Sequence, residues 1–284
     1  MRTAAIIAIA VALLLTACGS DDRVILSEAD APFVPVLESS DLAVGDSRIV
    51  LTLLDRDTQP TFPQNTRFRA RFFEPTEGGT RFLAETELEA IAVEGETYYV
   101  ARDLRLEVAG DWALAVTAAL ADGSAQSSPR LPFTVTRTRS TPTVGDSAPN
   151  APTPTTSDAP IGRLSGDPDP LSALYERSSR QLLDADEAFL IVFATYDRCA
   201  GRPTCARAVE QAKRIARDFE LTVIHVEPFG RQQPAQHQAL IDAVVEAWGI
   251  RVEPQLFFVD AQGQIAQHFA IVVTEDELSA AAAE

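Results

Sequence analysis

Hydrophobic residues follow two different periods along this chain, and the change of period divides it into two parts. Between residues 33 and 137, apolar positions come in short runs with period two, separated by turn sequences rich in Gly and Asp. The predicted strands are Arg48–Leu54, Arg67–Phe73, Tyr98–Val108, Asp111–Leu120 and Leu131–Thr136. Arginines alternate with apolar residues in the second run, which predicts one exposed and one buried face. The pattern indicates an all-β sandwich.

Residues 167–284 alternate short apolar runs with stretches of helical spacing, which predicts an α/β domain on a mostly parallel sheet. Strands are expected at Phe189–Thr195 and Leu221–Glu227, followed by a hairpin of 255–260 with 264–269. Helices are expected from Asp169-Pro170 to Leu182, from Pro203 to about Leu221, over 235–248 and over 275–283, the last with Thr274 and Glu277 as a capping box.

Composition marks the segments between and before these domains. Thr138 to Asp158 is rich in Ser, Thr, Pro, Ala and Asn and has almost no large apolar residue, so we predict a flexible linker over 138–166. A second polar stretch, residues 18–32, is predicted to be a tether.

The first 17 residues indicate how the predicted tether would be attached. Arg2, an apolar stretch from Ala4 to Leu15 and then Leu15-Thr16-Ala17-Cys18 resemble a bacterial lipoprotein signal with its lipobox. The resemblance implies that residues 1–17 are removed and that Cys18 is lipidated, which places the protein outside the cytoplasm and anchors it to the cell membrane. The alternative is an ordinary secretory signal with an incidental cysteine.

Charge excludes some partners. The net charge is −17, and Lys213 is the only lysine. Such an acidic chain argues against nucleic acid and against electrostatic adhesion to anionic lipid, so the membrane partner would be reached through the acyl chains. No phosphate-binding glycine loop, His-Glu-x-x-His or Gly-x-Ser-x-Gly occurs, and no bound cofactor is predicted.

Chemistry is expected at Cys199 and Cys205, which follow the strand at 189–195 and lead into the next helix. Two cysteines six positions apart on one helix would be about 9 Å apart, too far to bridge. If the helix begins near Pro203, Cys199 lies in a loop that Gly201 can bend, and a disulfide is feasible. Arg198 and Arg202 would lower a thiol pKa. A redox pair, a structural disulfide and a metal site all remain open.

The order of strand, Cys-bearing helix, strand, helix, Pro-led hairpin and helix resembles the thioredoxin fold, as in extracytoplasmic proteins of the TlpA/ResA type. Val252-Glu-Pro254 and the following Gln-Leu-Phe-Phe-Val-Asp-Ala-Gln-Gly263 are similar to that family's signature. The resemblance implies that Pro254 is cis, faces the cysteines and borders a peptide groove. The chain departs from the family's Cys-x-x-Cys, because five residues separate Cys199 from Cys205.

The first domain resembles the immunoglobulin-like domains related to YtkA and CopC in its segment Gly110–Val116. Such relatives bind copper through His and Met, and residues 33–137 contain neither. No metal site is therefore predicted there, the expected role is a spacer or docking module, and Trp112 is expected in the core.

The three histidines of the chain are candidate ligands for a metal site, which is an alternative to the redox pair. Sco-type copper chaperones are tethered thioredoxin folds that use two cysteines and a distant His, for which His237 and His268 are the exposed-looking candidates. His225 lies in a predicted buried strand beside Glu227 and is expected to be structural. Asp197 is either a proton relay near the thiols or an ordinary loop carboxylate.

These observations predict a membrane-anchored thioredoxin-like protein that performs thiol–disulfide exchange on exported thiol-containing proteins or a redox partner. Cys199, Cys205 and Pro254 would form its site. The alternatives are a non-catalytic surface binding lipoprotein with a structural disulfide, and a Sco-like metal chaperone.

Overall fold

A computed structural model describes residues 31–55, 58–197, 203–230 and 235–283. The strands are β1 (Val34–Leu37), β2 (Gly45–Leu54), β3 (Arg67–Thr76), β4 (Gly79–Val93), β5 (Glu96–Leu106), β6 (Gly110–Ala119), β7 (Ala125–Ser127), β8 (Leu131–Val135), β9 (Phe189–Phe193), β10 (Thr222–Val226), β11 (Gln255–Val259) and β12 (Ile265–Ala270). The helices are α1 (Ile161–Leu164), α2 (Ser179–Asp184), α3 (Thr204–Asp218), α4 (Ala235–Ala247) and α5 (Glu275–Ala283), and a 3-10 turn covers Ser172–Tyr175.

Strands β1 to β8 form an antiparallel sandwich, as the alternating pattern predicted. One layer has the order β1-β2-β5-β4, and the other joins β4 to β3, β6, β7 and β8. Strand β4 belongs to both layers, because Gly79–Leu88 pairs with β3 and Glu89–Val93 pairs with β5. This is the strand order of an immunoglobulin-type sandwich. Strand β4 was not predicted, because Ala and Glu interrupt its few β-branched residues, which are Thr80, Thr86, Ile91 and Val93.

The sandwich core confirms two side-chain expectations. On β3, Phe68, Ala70 and Phe72 are buried while Arg67 and Arg69 are exposed. Trp112 is only 1% exposed, and its indole Nε1 donates to the carbonyl oxygen of Val108 at 2.9 Å. Because that polar atom is satisfied inside the protein, Trp112 acts as a core residue.

The second sheet has the order β10-β9-β11-β12. Only β9 and β10 are parallel, whereas β11 is antiparallel to both of its neighbours. The expectation of a mostly parallel sheet was therefore wrong, because the tight turn between β11 and β12 permits only antiparallel pairing. Helices α3 and α5 cover one face, and α2 and α4 cover the other. All five residues of β9 are consequently buried.

The helix predicted from Asp169-Pro170 to Leu182 is divided into the 3-10 turn and α2. The cause is Ser178, whose side chain accepts from the backbone N–H of Gln181 while the Gln181 side chain accepts from the Ser178 N–H. This capping box starts a new helix at that position. The box predicted at Thr274 and Glu277 is present, with the Glu277 N–H donating to Thr274 Oγ1 at 3.1 Å.

Residues 138–166, which we call the strap, correct the prediction of a flexible linker. The strap runs along the edge of β12, where the Gly145 N–H donates to the Ile265 carbonyl at 2.9 Å and the Ile265 N–H to the Asp146 carbonyl at 2.8 Å. Ala148 and Ala151 are buried. Small side chains let the strap backbone approach the sheet. The strap is therefore held by backbone hydrogen bonds rather than by the burial of large apolar side chains.

The two domains share a hydrophobic cluster. Ile271 and Val272, which follow β12, pack with Val50, Tyr98 and Val100 on the outer side of the β1-β2-β5-β4 layer. Polar contacts add to this contact, since Glu277 on α5 pairs with Arg48 and Arg102 of the sandwich. The sandwich is thus docked against the second domain.

Gly249 provides a test of the docked strap. It has φ 62°, and a Cβ atom there would lie 2.1 Å from the carbonyl oxygen of Ser140 in the strap. We expect Gly249→Ala to lower the free energy of unfolding by about 1–3 kcal/mol, because the overlap is with backbone that cannot rotate away. Urea denaturation measures the change.

The matched control is Gly162→Ala in α1, where a Cβ meets no heavy atom within 4 Å. That variant should be as stable as wild type or more stable by up to about 1 kcal/mol, because alanine favours the helix over glycine. Equal stability of the two variants would contradict the docked strap.

Candidate functional site

Cys205 lies in the first turn of α3 and is fully buried. Helix α3 begins at Thr204, directly after Pro203, as the sequence predicted. The sulfur of Cys205 is disulfide-bonded, and the described residues contain no second cysteine. Cys199, with Arg198, Gly201 and Arg202, lies outside the described residues, as does Cys18, so the Cys199–Cys205 pairing stays a prediction.

Pro254 lies close to the helical turn that carries Cys205. The Glu253–Pro254 peptide bond is cis, which confirms the expectation from the hairpin signature. Pro254 lines a small depression together with Thr204 and Ala208 of α3 and with Ile271 and Val272. The Pro254 carbonyl accepts from the Ile271 N–H at 2.9 Å. The proline, the start of α3 and the residues that dock the sandwich therefore meet in one place.

The buried Glu227 and the half-buried Glu253 lie where β9 and β10 end. Glu227 Oε1 accepts from the backbone N–H groups of Gly166 at 2.7 Å and Tyr196 at 3.3 Å. Glu253 Oε2 accepts from the backbone N–H of Thr195 at 2.7 Å. Thr195 and Tyr196 lead directly toward Cys199, so both carboxylates hold the base of the segment that carries it.

Burial raises the pKa of Glu227, and the two amide hydrogen bonds only partly offset it, while the charges of Asp197 and Glu253 raise it further. Burial likewise raises the pKa of Glu253 against the hydrogen bonds from Thr195. A carboxyl group with a raised pKa is a stronger proton acceptor than an ordinary glutamate. Asp197, the relay that the sequence suggested, is exposed. The sequence offered one signal for Glu227, which ends the apolar run 221–226, and none for Glu253.

Lys213, the only lysine of the chain, is a buried structural cation. Its Nζ lies 2.5 Å from Asp167 Oδ2 and 2.8 Å from Glu210 Oε1, and the Lys213 and Asp167 side chains are 3% and 1% exposed. Burial favours a lower pKa for Lys213, but its two carboxylate partners raise it. The pair ties α3 to the loop before the 3-10 turn, and removal of one partner would leave an uncompensated buried charge.

The histidines are engaged separately. His225 Nε2 donates to the Ala194 carbonyl at 2.7 Å and Nδ1 accepts from the Tyr175 hydroxyl at 2.5 Å, while burial lowers the pKa of His225 to about 4. It is structural, as expected. His237 contacts the Asp158 carbonyl, and His268 stacks on Phe257 with ring centroids 4.3 Å apart. Within the described ranges, no three His, Cys, Asp or Glu side chains are grouped so that they could hold a metal ion.

Comparisons with known proteins leave the family open. No protein-family description matches the sequence, and no curated protein matches it. Among solved structures, a fibronectin type-III domain of human fibronectin type III domain containing protein 3 is 19% identical and covers 37% of this chain and 84% of its own, with a TM-score of 0.23. CopC from Methylosinus trichosporium OB3b is 11% identical and covers 37% and 94%, with a TM-score of 0.24. Murine CRIg is 11% identical and covers 37% and 98%, with a TM-score of 0.22.

Scores this low carry no conclusion about family or function. The assignment of the sandwich follows from its strand order alone. In the part of the chain that the structure describes, no helix has the length and apolar character needed to cross a membrane.

The raised pKa of Glu227 has a consequence for stability. A carboxyl group whose folded-state pKa lies above its unfolded value stabilises the fold below about pH 4.3 and loses that contribution as pH rises through the folded value. We therefore expect Glu227→Gln, whose amide oxygen can keep both backbone bonds, to gain stability relative to wild type as pH rises from about 4 to 7. Urea denaturation across this range measures the difference.

Exposed Glu220 gives the matched control, because Glu220→Gln should follow the wild-type curve. If the difference between Glu227→Gln and wild type does not change with pH, then Glu227 titrates as an ordinary glutamate and cannot serve as the proton acceptor.

Proposed function

We propose that this protein is a membrane-anchored, extracytoplasmic thiol–disulfide exchange protein with a thioredoxin-like second domain. The observation that carries the proposal is the disulfide-bonded Cys205 in the first turn of the helix after β9, since its neighbour Thr204 lines a small depression together with Pro254. A buried sulfur at a helix N-terminus, next to a surface that can accept an extended peptide, suits exchange with a polypeptide substrate.

The arrangement of the second sheet supports the thioredoxin-like assignment. Central β9 pairs in parallel with β10 and antiparallel with β11, which pairs with β12, and helices cover both faces. The cysteine-bearing helix α3 follows the central strand β9 in the chain. The cis proline, Pro254, immediately precedes β11, which lies beside β9 in the sheet. The sandwich would be the YtkA/CopC-like module, serving as a spacer or docking surface.

In the proposed reaction cycle, the sulfur atoms of Cys199 and Cys205 have different roles. The Cys199 thiolate attacks one sulfur of a substrate disulfide, forming a mixed disulfide and releasing the other substrate sulfur as a thiolate. The Cys205 thiolate then attacks Cys199, which releases the second substrate thiolate and leaves a Cys199–Cys205 disulfide. The substrate gains two electrons, and an external dithiol must reduce the protein again.

The buried carboxyl groups fit the second step. Because Cys205 is fully buried, its thiol must lose a proton where bulk water is excluded. Glu227 and Glu253, with raised pKa values at the base of the cysteine segment, are the acceptors that the structure offers.

The second candidate is a non-catalytic binding lipoprotein with a structural disulfide. Full burial of Cys205 and the five-residue spacing both suit a bond that fastens the start of α3. Reactivity separates the two functions, because a structural disulfide resists exchange.

The exchange proposal predicts different outcomes for the two cysteines. With Cys18 replaced by Ser throughout, so that only the pair can react, the protein should accelerate dithiothreitol-driven insulin reduction, and Cys199→Ser should abolish that activity. Cys205→Ser should instead accumulate mixed disulfides, because nothing resolves them. Turbidity and non-reducing gels measure the two outcomes.

The reduction potential of the pair is the independent control. Structural disulfides lie below about −300 mV, and we expect a higher value here. A potential well below that limit, together with an unchanged rate in Cys199→Ser, would remove the enzymatic function and leave the binding lipoprotein.

The membrane anchor rests on Leu15-Thr16-Ala17-Cys18 in the sequence. We expect wild type to fractionate with membranes, and Cys18→Ser either to be released as a soluble mature protein or to accumulate as uncleaved precursor. Membrane fractionation and the intact mass of the protein distinguish these outcomes. A Cys18→Ser variant that stays on the membrane with the wild-type mature mass would show that the anchor is wrong.

A further inference from the structure

A cleft of about 860 Å³ lies between the two domains. Its walls are residues 39–48 of the sandwich, the start of the strap, and the hairpin of β11 and β12. The volume is that of a small-molecule site, and domain interfaces are a preferred place for such sites. Its lining contains neither Cys205 nor Pro254, so the cleft is a separate feature from the exchange site.

Three arginines and four carboxylates line this cleft, and the arginines are the groups that could bind an anion. Arg48, Arg102 and Arg139 all line it, although the chain as a whole carries a net charge of −17. Arg139 donates through Nη2 to the Asp46 carbonyl and to Ser47 Oγ, both at 2.7 Å. Among the described residues, no carboxylate forms an ion pair with Arg139. Its guanidinium is therefore held by a backbone carbonyl and a hydroxyl group rather than by a carboxylate.

Arg48 is only partly compensated. Its Nη1 donates to the Ala270 carbonyl at 3.4 Å, and Nη2 lies 3.6 Å from Glu277 Oε1. The same Glu277 carboxylate also binds Arg102. Within the described residues, Nε and Nη2 of Arg48 are buried without a hydrogen-bond acceptor. A buried donor without an acceptor is unfavourable, so an anion that hydrogen-bonds to this guanidinium would remove a penalty.

The other acidic groups of the lining are already engaged. Asp41 accepts from the backbone N–H groups of Ser140 and Thr141, and Asp146 accepts from that of Thr143. Asp46 pairs with Arg105 at 3.1 Å and is 80% exposed. These carboxylates bind the strap and an arginine at the edge of the cleft. They leave Arg48 and Arg139 available to a ligand.

His268 and Gln255 form the opposite wall. His268 Nε2 lies 2.6 Å from Gln255 Oε1, and the ring stacks on Phe257. Burial and the neighbouring charges of Arg139 and Arg48 lower the pKa of His268 to about 3, so the ring is neutral at physiological pH. It offers hydrogen bonding beside the two arginines without adding a charge.

We propose that this cleft binds a small polyanion, a molecule with carboxylate or phosphate groups, through Arg48 and Arg139 with His268 and Gln255 on the facing wall. Arg48 belongs to the sandwich, Arg139 to the strap and His268 to the second domain. A ligand held by all three would bridge the domains and stabilise their docked arrangement.

The test uses the full chain with Cys18 replaced by Ser and two probes, citrate and inorganic phosphate, each compared with sodium chloride at equal ionic strength. Isothermal titration calorimetry should detect saturable binding of at least one probe, and thermal unfolding should shift upward with its concentration. Arg139→Gln should weaken binding by about tenfold or more. The matched control is Arg69→Gln on β3, which removes a half-exposed arginine outside the cleft and should bind as wild type does.

Arg139 is partly exposed, so its replacement should not prevent folding, and circular dichroism checks this. Binding of citrate alone assigns a carboxylate ligand, and binding of phosphate assigns a phosphate ligand. The proposal is overturned if neither probe binds saturably to the parent protein, or if folded Arg139→Gln binds as tightly as Arg69→Gln. Cys199→Ser should leave binding unchanged, which separates this result from the fate of the exchange function.

Discussion

The packing of Ile271 and Val272 against the sandwich is the contact on which the rest of the molecule depends. On one side these residues join Val50, Tyr98 and Val100, and on the other they line the depression beside Pro254 and the start of α3. Ile271 adopts φ 68°, a conformation that costs a β-branched residue about 1–3 kcal/mol. Burial and the hydrogen bond to the Pro254 carbonyl hold it there. The surface near Cys205 is therefore shaped by both domains.

Charge is distributed unevenly between the surface and the interior. The chain carries a large negative charge, yet its only lysine is buried in an ion pair with Asp167, and Arg48 is used at the domain contact. Buried cations of this kind add little net stability, but each fixes the geometry of the elements that it joins. The acidic surface keeps the protein soluble and disfavours anionic partners, whereas the interdomain cleft presents arginines to an anion.

The region around Cys205 combines a buried sulfur with carboxyl groups whose ionisation burial opposes. Glu227 and Glu253 each accept backbone N–H groups of the chain that leads toward Cys199, so the same groups position that segment and remain able to take a proton.

The sequence by itself determined most of the local elements and the change from strands alone to strands that alternate with helices. Alternation predicted most strands of the sandwich, and the short apolar runs predicted β9, β10 and the hairpin, because burial of one or both strand faces leaves a direct trace in residue order. It also placed Pro254, the start of α3 and the box at Thr274. Tertiary structure decided what local order does not encode. Strand β4 connects the two layers of the sandwich by pairing with a strand of each. The strap is ordered because the edge of β12 accepts its backbone hydrogen bonds. The side chains of Glu227, Glu253, Arg48 and Arg139 acquire their surroundings from residues far away in the chain. Such effects depend on burial and on distant charges, which a linear pattern of residues does not contain.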